Sequence, residues 1–167
     1  NKDNTYILTE LGEIVSKLPC SFQAGIFIAN CMKISNTDCN DYTNIHMNYY
    51  YYVALISAWI DTKTSIFAHL TKKYKETEQE FEIRRMDVKA MQKELLMDDT
   101  LKTFVNIWLQ SRTTSNLYDW CIDNGIYYRN MVNIERSLKD ILRSLNHNFD
   151  IKNSFYIRKF DTIDNII

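Results

Sequence analysis

The sequence predicts an all-α fold, a compact helical bundle, and three observations carry that expectation. Three glycines and one proline in 167 residues leave few residues for the tight turns that a sandwich or barrel of this length needs. Apolar residues recur at three- and four-residue spacing through several long stretches, the period of a helix with one buried face. The hydrophobic share of 46% is enough, at this length, to build one domain around a real core.

The elements follow in order. Thr5-Tyr6-Ile7-Leu8 is short and β-prone, and Thr9 then offers its hydroxyl as the cap of a helix carrying Leu11, Ile14, Val15 and Leu18, which Pro19 ends. From Phe22 to Ile34 the spacing of Phe22, Ile26, Ala29 and Met32 predicts a buried helix, with Ala24 and Gly25 small enough to let another helix approach closely. Ser35 to Asn48 is rich in Asn, Asp and Thr and reads as a surface loop. Tyr49 to Ile60 returns to a strongly apolar helix. Lys72 to Lys93 is dense in both signs of charge. There Glu80 and Arg84 fall at a supportive i,i+4 spacing, and Glu78 and Glu82 at a repulsive one. That run reads as a solvated helix or an insertion rather than a site. Asp98-Asp99 cap a helix to about Arg112 with Leu101, Phe104, Val105, Trp108 and Leu109 as its stripe. Asn116 caps the next, carrying Leu117, Trp120 and Cys121, and Asn124-Gly125 stops it. The last strong helix, about Asn133 to Leu145, sets Ile134, Leu138, Ile141, Leu142 and Leu145 on one face and Arg136, Lys139 and Arg143 on the other. Phe155-Tyr156-Ile157 and Phe160 are β-prone or irregular. Leu11, Leu18, Phe104, Trp108, Trp120, Leu138 and Leu142 are the expected core.

A formal net charge of -1 removes any argument from global attraction to nucleic acid, so such binding would need a local cluster. Cys20, Cys31, Cys39 and Cys121 form no CxxC pair and have no histidine at zinc-ligand spacing, so they read as reduced thiols, most of them buried, and no metal is expected. His46, His69 and His147 are isolated. No phosphate-cradling GxxxxGKS/T loop, acidic metal-binding box or catalytic triad context occurs, so no catalytic residue is assigned. No signal-like stretch or membrane-length apolar run is present, which predicts no membrane partner and a reducing, intracellular, cytoplasmic location. The chain opens on Asn1 in what reads as a strand-turn-helix, so it is expected to be a piece of a longer polypeptide.

Leu8-Thr9-Glu10-Leu11-Gly12 followed by Leu18-Pro19 resembles the "LTxLG…LP" signature that leads out of the winged-helix domain of DEAH/RHA helicases. Further matches keep the family's order. Ala24 to Ala29 is similar to the helix after that signature, Val53 to Ser57 to the next one, and Asp99 to Phe104 to the "GDHLTLL" start of the helix after a variable insertion. Trp120-Cys121, with Arg129 beyond it, resembles the "WC…R" element. The departures are Phe22 in place of a second proline, Asp98 and Thr100 in place of the glycine and histidine of "GDH", and a loose "IRxQL" match over Ile134 to Leu138. They set the chain apart from cellular spliceosomal and ribosome-biogenesis members. The Asn-, Ile-, Lys- and Tyr-rich usage suits an A·T-rich genome such as that of a large cytoplasmic DNA virus, which would place the protein in host cytoplasm or the virion.

The resemblance implies the helicase-associated, or ratchet, region: residues 1–21 as the end of a winged-helix-like segment, 22–147 as a helical ratchet-like domain with a charged insertion about 61–97, and 148–167 as a linker toward a further C-terminal domain. It implies packing against the motor domains of the same polypeptide and closure over single-stranded RNA, or DNA. ATP and Mg would bind those motor domains, making the parent an ATP-dependent RNA helicase while this segment carries no catalytic residue. The candidate nucleic-acid contacts are Arg129, with Arg136, Lys139 and Arg143 about one helical turn apart and suited to successive phosphates, and Lys102 with Asn106 on the helix after Asp99. Both sets read equally as ordinary solvated surface. Tyr49 to Tyr52 could stack on unpaired bases, although four consecutive positions span all sides of a helix and one or two should be core. Trp59, Trp108 and Trp120 read as core anchors. A reading of another class stands beside this one: a helical protein–protein interaction module that binds no nucleic acid.

Overall fold

The computed structural model describes residues 7–38, 45–63 and 65–149. The fold is all-α: among the described residues there are seven helices and no strand, only one isolated bridge between Phe67 and Ile126. The expected extended start at Thr5 and Tyr6, and the irregular segment after Asn146 from residue 150 onward, lie outside the described residues. The described chain falls into two units. One comprises the helices up to Lys63 and α7 from Asn133; the other runs from Ser65 to Val132.

In the first unit, α1 (Glu10–Ser16) is capped by Thr9, whose Oγ1 accepts from the Gly12 N–H at 3.1 Å. Helix α2 (Phe22–Asp38) runs further than the expected Ile34, through Asn36-Thr37-Asp38, and α3 (Ile45–Thr62) begins before Tyr49. The polar loop expected over 35–48 is therefore shorter, because Asn, Thr and Asp disfavour a helix interior only weakly and do not end a helix as proline does. Gly25 permits the close approach that its size predicts: a Cβ there would stand 2.9 Å from Val15 Cγ1 on α1. Ala24, Ala29, Ala54 and Ala58 are fully buried where α2 and α3 pack. The Ser21 N–H donates to Asp61 Oδ1 at 2.8 Å, and Tyr49 Oη donates to the Cys31 carbonyl at 3.2 Å. Each start meets the other's end, so α2 and α3 are antiparallel. Helix α7 (Tyr128–Phe149) buries Ile134, Leu138, Ile141, Leu142 and Leu145 as expected, and is longer than the expected 133–145. Ser144 Oγ and Asn148 Nδ2 both donate to the Lys17 carbonyl, at 2.6 and 3.2 Å, closing the end of α1.

In the second unit, α4 (Glu78–Leu95), α5 (Thr100–Thr113) and α6 (Leu117–Asp123) follow one another. Asp99 caps α5 by accepting from the Leu101 and Lys102 N–H groups, and Asn116 caps α6 through Tyr118 and Asp119. Helix α6 ends at Asn124-Gly125 as expected, with Gly125 at φ 59°. The Ala68 N–H donates to the Gly125 carbonyl at 2.8 Å and the Tyr127 N–H to Ile66 at 2.9 Å, so residues 66–68 pair briefly with 125–127. Phe104, Ile107 and Trp108 are buried. Of the expected core, Leu18, Leu138 and Leu142 are buried in the first unit and Phe104 and Trp108 in the second, whereas Leu11 and Trp120 are only half-buried. Leu101, expected in the stripe, is exposed.

Candidate nucleic-acid interface

Helix α7 positions four of the candidate cations. At 3.6 residues per turn, Arg129, Arg136, Lys139 and Arg143 fall within about 80° of the helix circumference, and Arg129, Arg136 and Arg143 repeat every two turns, about 10.5 Å apart along the axis. All four are exposed, on the side away from Ile134, Leu138 and Ile141. Lys139 Nζ bonds Glu135 at 2.6 Å and Arg143 bonds Asp140 at 2.9 Å. Arg129 and Arg136 have no ion-pair partner among the described residues. Four cations against Glu135 and Asp140 leave this face with two net positive charges.

Lys102 is exposed at the start of α5, with its ammonium 3.0 Å from Asp98. That hydrogen bond and the charge of Lys102 hold the Asp98 carboxyl below its usual range. Asn106 is not on the surface. It is 5% exposed, its Nδ2 donates to the Leu95 carbonyl at 2.9 Å, and its Oδ1 accepts from Gln110. This amide closes the free carbonyl end of α4, which explains its burial and takes it out of any contact set; Lys102 is left without the neighbour one turn on. The four tyrosines are likewise withdrawn: Tyr50 and Tyr51 are buried, Tyr49 and Tyr52 half-buried, in edge-to-face pairs with ring centroids 5.4 Å apart. They brace α3 rather than present platforms. Trp108 is a core anchor, while Trp59 and Trp120 are half-buried.

The thiols offer no competing chemistry. Burial, with a further push from Asp61, raises Cys20 to about 11, and burial raises Cys121 to about 11 against the opposing pull of Arg112. Both stay protonated and poorly nucleophilic at neutral pH. Cys39 and the His46 side chain lie outside the described residues, and among those described no cluster of metal-ligating side chains occurs. No described helix is long and apolar enough to cross a membrane.

Of the charged run Lys72 to Lys93, expected as a solvated helix or an insertion, the part from Glu78 is helical, and a turn at Tyr74-Lys75 precedes it. Helix α4 starts only at Glu78, behind a capping box in which Thr77 Oγ1 accepts from the Glu80 N–H while Glu80 accepts from the Thr77 N–H. The Glu80–Arg84 pair expected from spacing does not form, because Glu80 is held by the cap and Arg84 reaches back to Glu76 instead. The pattern Thr77-x-x-Glu80 was the available signal for this start. No protein-family model and no curated protein matches this chain.

Proposed function

We propose that this chain is a helical accessory domain that grips single-stranded nucleic acid beside the motor domains of an ATP-dependent, DEAH/RHA-type RNA helicase. The observation that carries the gripping role is the exposed cationic stripe of α7. The helicase context rests on the ordered sequence matches over residues 8–143, and on that context ATP and Mg belong to the motor domains. Arg129 and Arg136 meet phosphates directly. Lys139 and Arg143 exchange exposed partners on their own helix for phosphate oxygens, at little cost, since exposed ion pairs contribute only about 0–1 kcal/mol.

Fluorescence anisotropy of a labelled single-stranded RNA across a salt series tests this reading. If Arg136, Lys139 and Arg143 each neutralise one phosphate, together they contribute about -2 to the log-log salt slope, and replacing all three with glutamine removes that share. Circular dichroism of the same variant checks the fold, which should survive because the substitutions lie opposite the apolar face. An unchanged slope in the folded variant refutes the role of α7.

One observation favours the second reading, a protein–protein interaction module. Ile83 and Met86 stand exposed on α4, opposite its buried Val88 and Leu95, an apolar stripe of the kind that partner helices cover. No detectable binding of RNA by the unmodified chain at about 50 mM salt, where phosphate contacts are strongest, would decide for this alternative.

A further inference from the structure

The turn between Thr71 and Thr77 is built more firmly than a connection requires. Arg84 on α4 grips Glu76 with both nitrogens of its fork, Nε to Oε1 at 2.7 Å and Nη2 to Oε2 at 2.8 Å, and Nη2 also donates to the Thr71 carbonyl at 3.0 Å. Glu76 in turn accepts from the Lys73 N–H at 2.7 Å, and its own N–H donates to the Lys73 carbonyl. Bidentate pairs of this kind fix geometry as well as charge. Both ends of the turn are thus pinned, and the capping box of α4 follows directly.

What the turn holds out is Lys72-Lys73-Tyr74-Lys75. The Tyr74 side chain is 92% exposed. Lys75 adopts φ 65°, a left-handed conformation that disfavours any side chain and that a plain connector would give to glycine or asparagine. Its ammonium sits 5.5 Å from the centroid of the Tyr74 ring. Lys72 is paired with Glu78 at 2.7 Å, whereas Lys73, whose charge acts on Glu76, and Lys75 make no close ion pair among the described residues. A strained backbone that the surroundings hold in place is a common mark of a working position.

We propose that the Lys72–Lys75 turn is a second contact for single-stranded nucleic acid, in which Tyr74 stacks on an unpaired base and Lys73 and Lys75 neutralise phosphates on either side. The inference rests on the nucleic-acid reading above but uses other residues. Its occupant is argued from complementarity. An acidic peptide would satisfy the lysines without needing the bare ring, and a duplex offers phosphates but keeps its base faces stacked. Only an unpaired strand presents a planar base between two negative charges.

The test compares the unmodified chain with Tyr74→Ala, Tyr74→Phe, Lys75→Gly and the double variant Lys73→Gln/Lys75→Gln. Each is titrated by anisotropy with a labelled oligouridylate, with an RNA hairpin duplex, and by sedimentation with phosphatidylserine vesicles. Loss of one stacked base should weaken oligouridylate binding by about fivefold to a hundredfold in Tyr74→Ala, leave the duplex unaffected, and be rescued in Tyr74→Phe. The double variant should make the salt slope shallower by about 1.4. Lys75→Gly should keep its thermal midpoint, since glycine suits the left-handed backbone, yet lose about 0.7 of slope; that separates a binding role from a structural one. Unchanged oligouridylate binding in Tyr74→Ala overturns the proposal, as does an equal loss on the duplex. Vesicle binding lost while RNA binding stays intact would overturn it in favour of a membrane contact. If the α7 triple variant flattens the slope and the turn variants do not, only this inference fails. The reverse result retains it and removes α7 from the site. An unmodified chain that binds no oligonucleotide sinks both.

Discussion

Replacing Gly125 with alanine should cost about 2–4 kcal/mol, and the structure says where the loss arises. Gly125 ends α6 in a left-handed cap: its N–H donates to Ile122 at 3.2 Å and the Ile126 N–H reaches back to Cys121 at 2.8 Å, the paired bonds of a Schellman motif. Holding an L-residue at φ 59° costs about 1–2 kcal/mol. A Cβ would also collide with Val88 Cγ1 and stand 2.6 Å from Gln92 Nε2. Gln92 can swing away at the expense of its 3.0 Å bond to the Gly125 carbonyl. Val88 is buried, short and β-branched, and cannot move far without displacing α4. Overpacking of this kind adds about 1–3 kcal/mol, and the smaller entropy of the alanine-bearing unfolded chain returns about 0.4–1 kcal/mol. Urea denaturation measures the sum as a shift in midpoint at constant m. Gly125→Asn separates the terms, since asparagine tolerates the left-handed region but keeps the Cβ. In the pair Val88→Ala with Gly125→Ala the losses should be less than additive, with a coupling of about 1 kcal/mol or more. A loss below about 1 kcal/mol in Gly125→Ala, or additive losses in the double variant, would refute the reasoning.

Truncating Trp108, 1% exposed, to alanine should cost about 3–5 kcal/mol by denaturant titration, and a loss under about 1 kcal/mol would show the α5 stripe to be misread. Asp99→Ala removes the acceptor for two N–H groups of α5 and should cost about 1 kcal/mol, read as a lowered thermal midpoint; an unchanged midpoint would mean that water replaces the cap. The hydrogen bond from Arg84, then that from the Lys73 N–H, lowers Glu76 from 4.5 to about 2. A lowered carboxyl stabilises the fold above its ordinary value, so this contribution is present above about pH 4.5 and is lost as pH falls toward 2. The acid-unfolding curve of Glu76→Gln should therefore be flatter over that window than that of the parent, and parallel curves would refute the assignment. The chain should not hydrolyse ATP, because its sequence contains no phosphate-cradling loop, and turnover that survives contaminant controls would count against this reading.

What was legible in the sequence was local. Thr9, Asp99 and Asn116 reveal their helices because a cap needs only its own next few N–H groups, and Asn124-Gly125 reveals a stop because only a glycine-like residue suits the left-handed turn. The apolar face of α7 was legible for the same reason, since its 3.6-residue period needs no knowledge of what covers it. Asn106 was not legible. Its burial depends on the end of α4 arriving with an unsatisfied carbonyl at Leu95, a meeting of two elements that no spacing encodes. Arg84 misled for a related reason: the i,i+4 rule assumes that both partners are free, and a cap had already claimed Glu80. In the tail of α2, composition was the wrong guide, since Asn36, Thr37 and Asp38 continue a helix that its apolar half starts.

The clasp on the Lys17 carbonyl bears on the order in which the chain can fold. Ser144 lies 127 residues from the residue it holds, so the unit that contains α1, α2 and α3 is discontinuous and is finished only when the last helix exists. Helices α4, α5 and α6 are all made before α7. On a ribosome that adds about 5–20 residues each second, the first three helices wait several seconds without the face of α7 that completes them. During that wait, α2 and α3 have only each other and α1 to shield their apolar sides. The contacts open to them before α7 is made are those of the small residues: Ala24, Ala29, Ala54 and Ala58, and Gly25 against Val15 of α1.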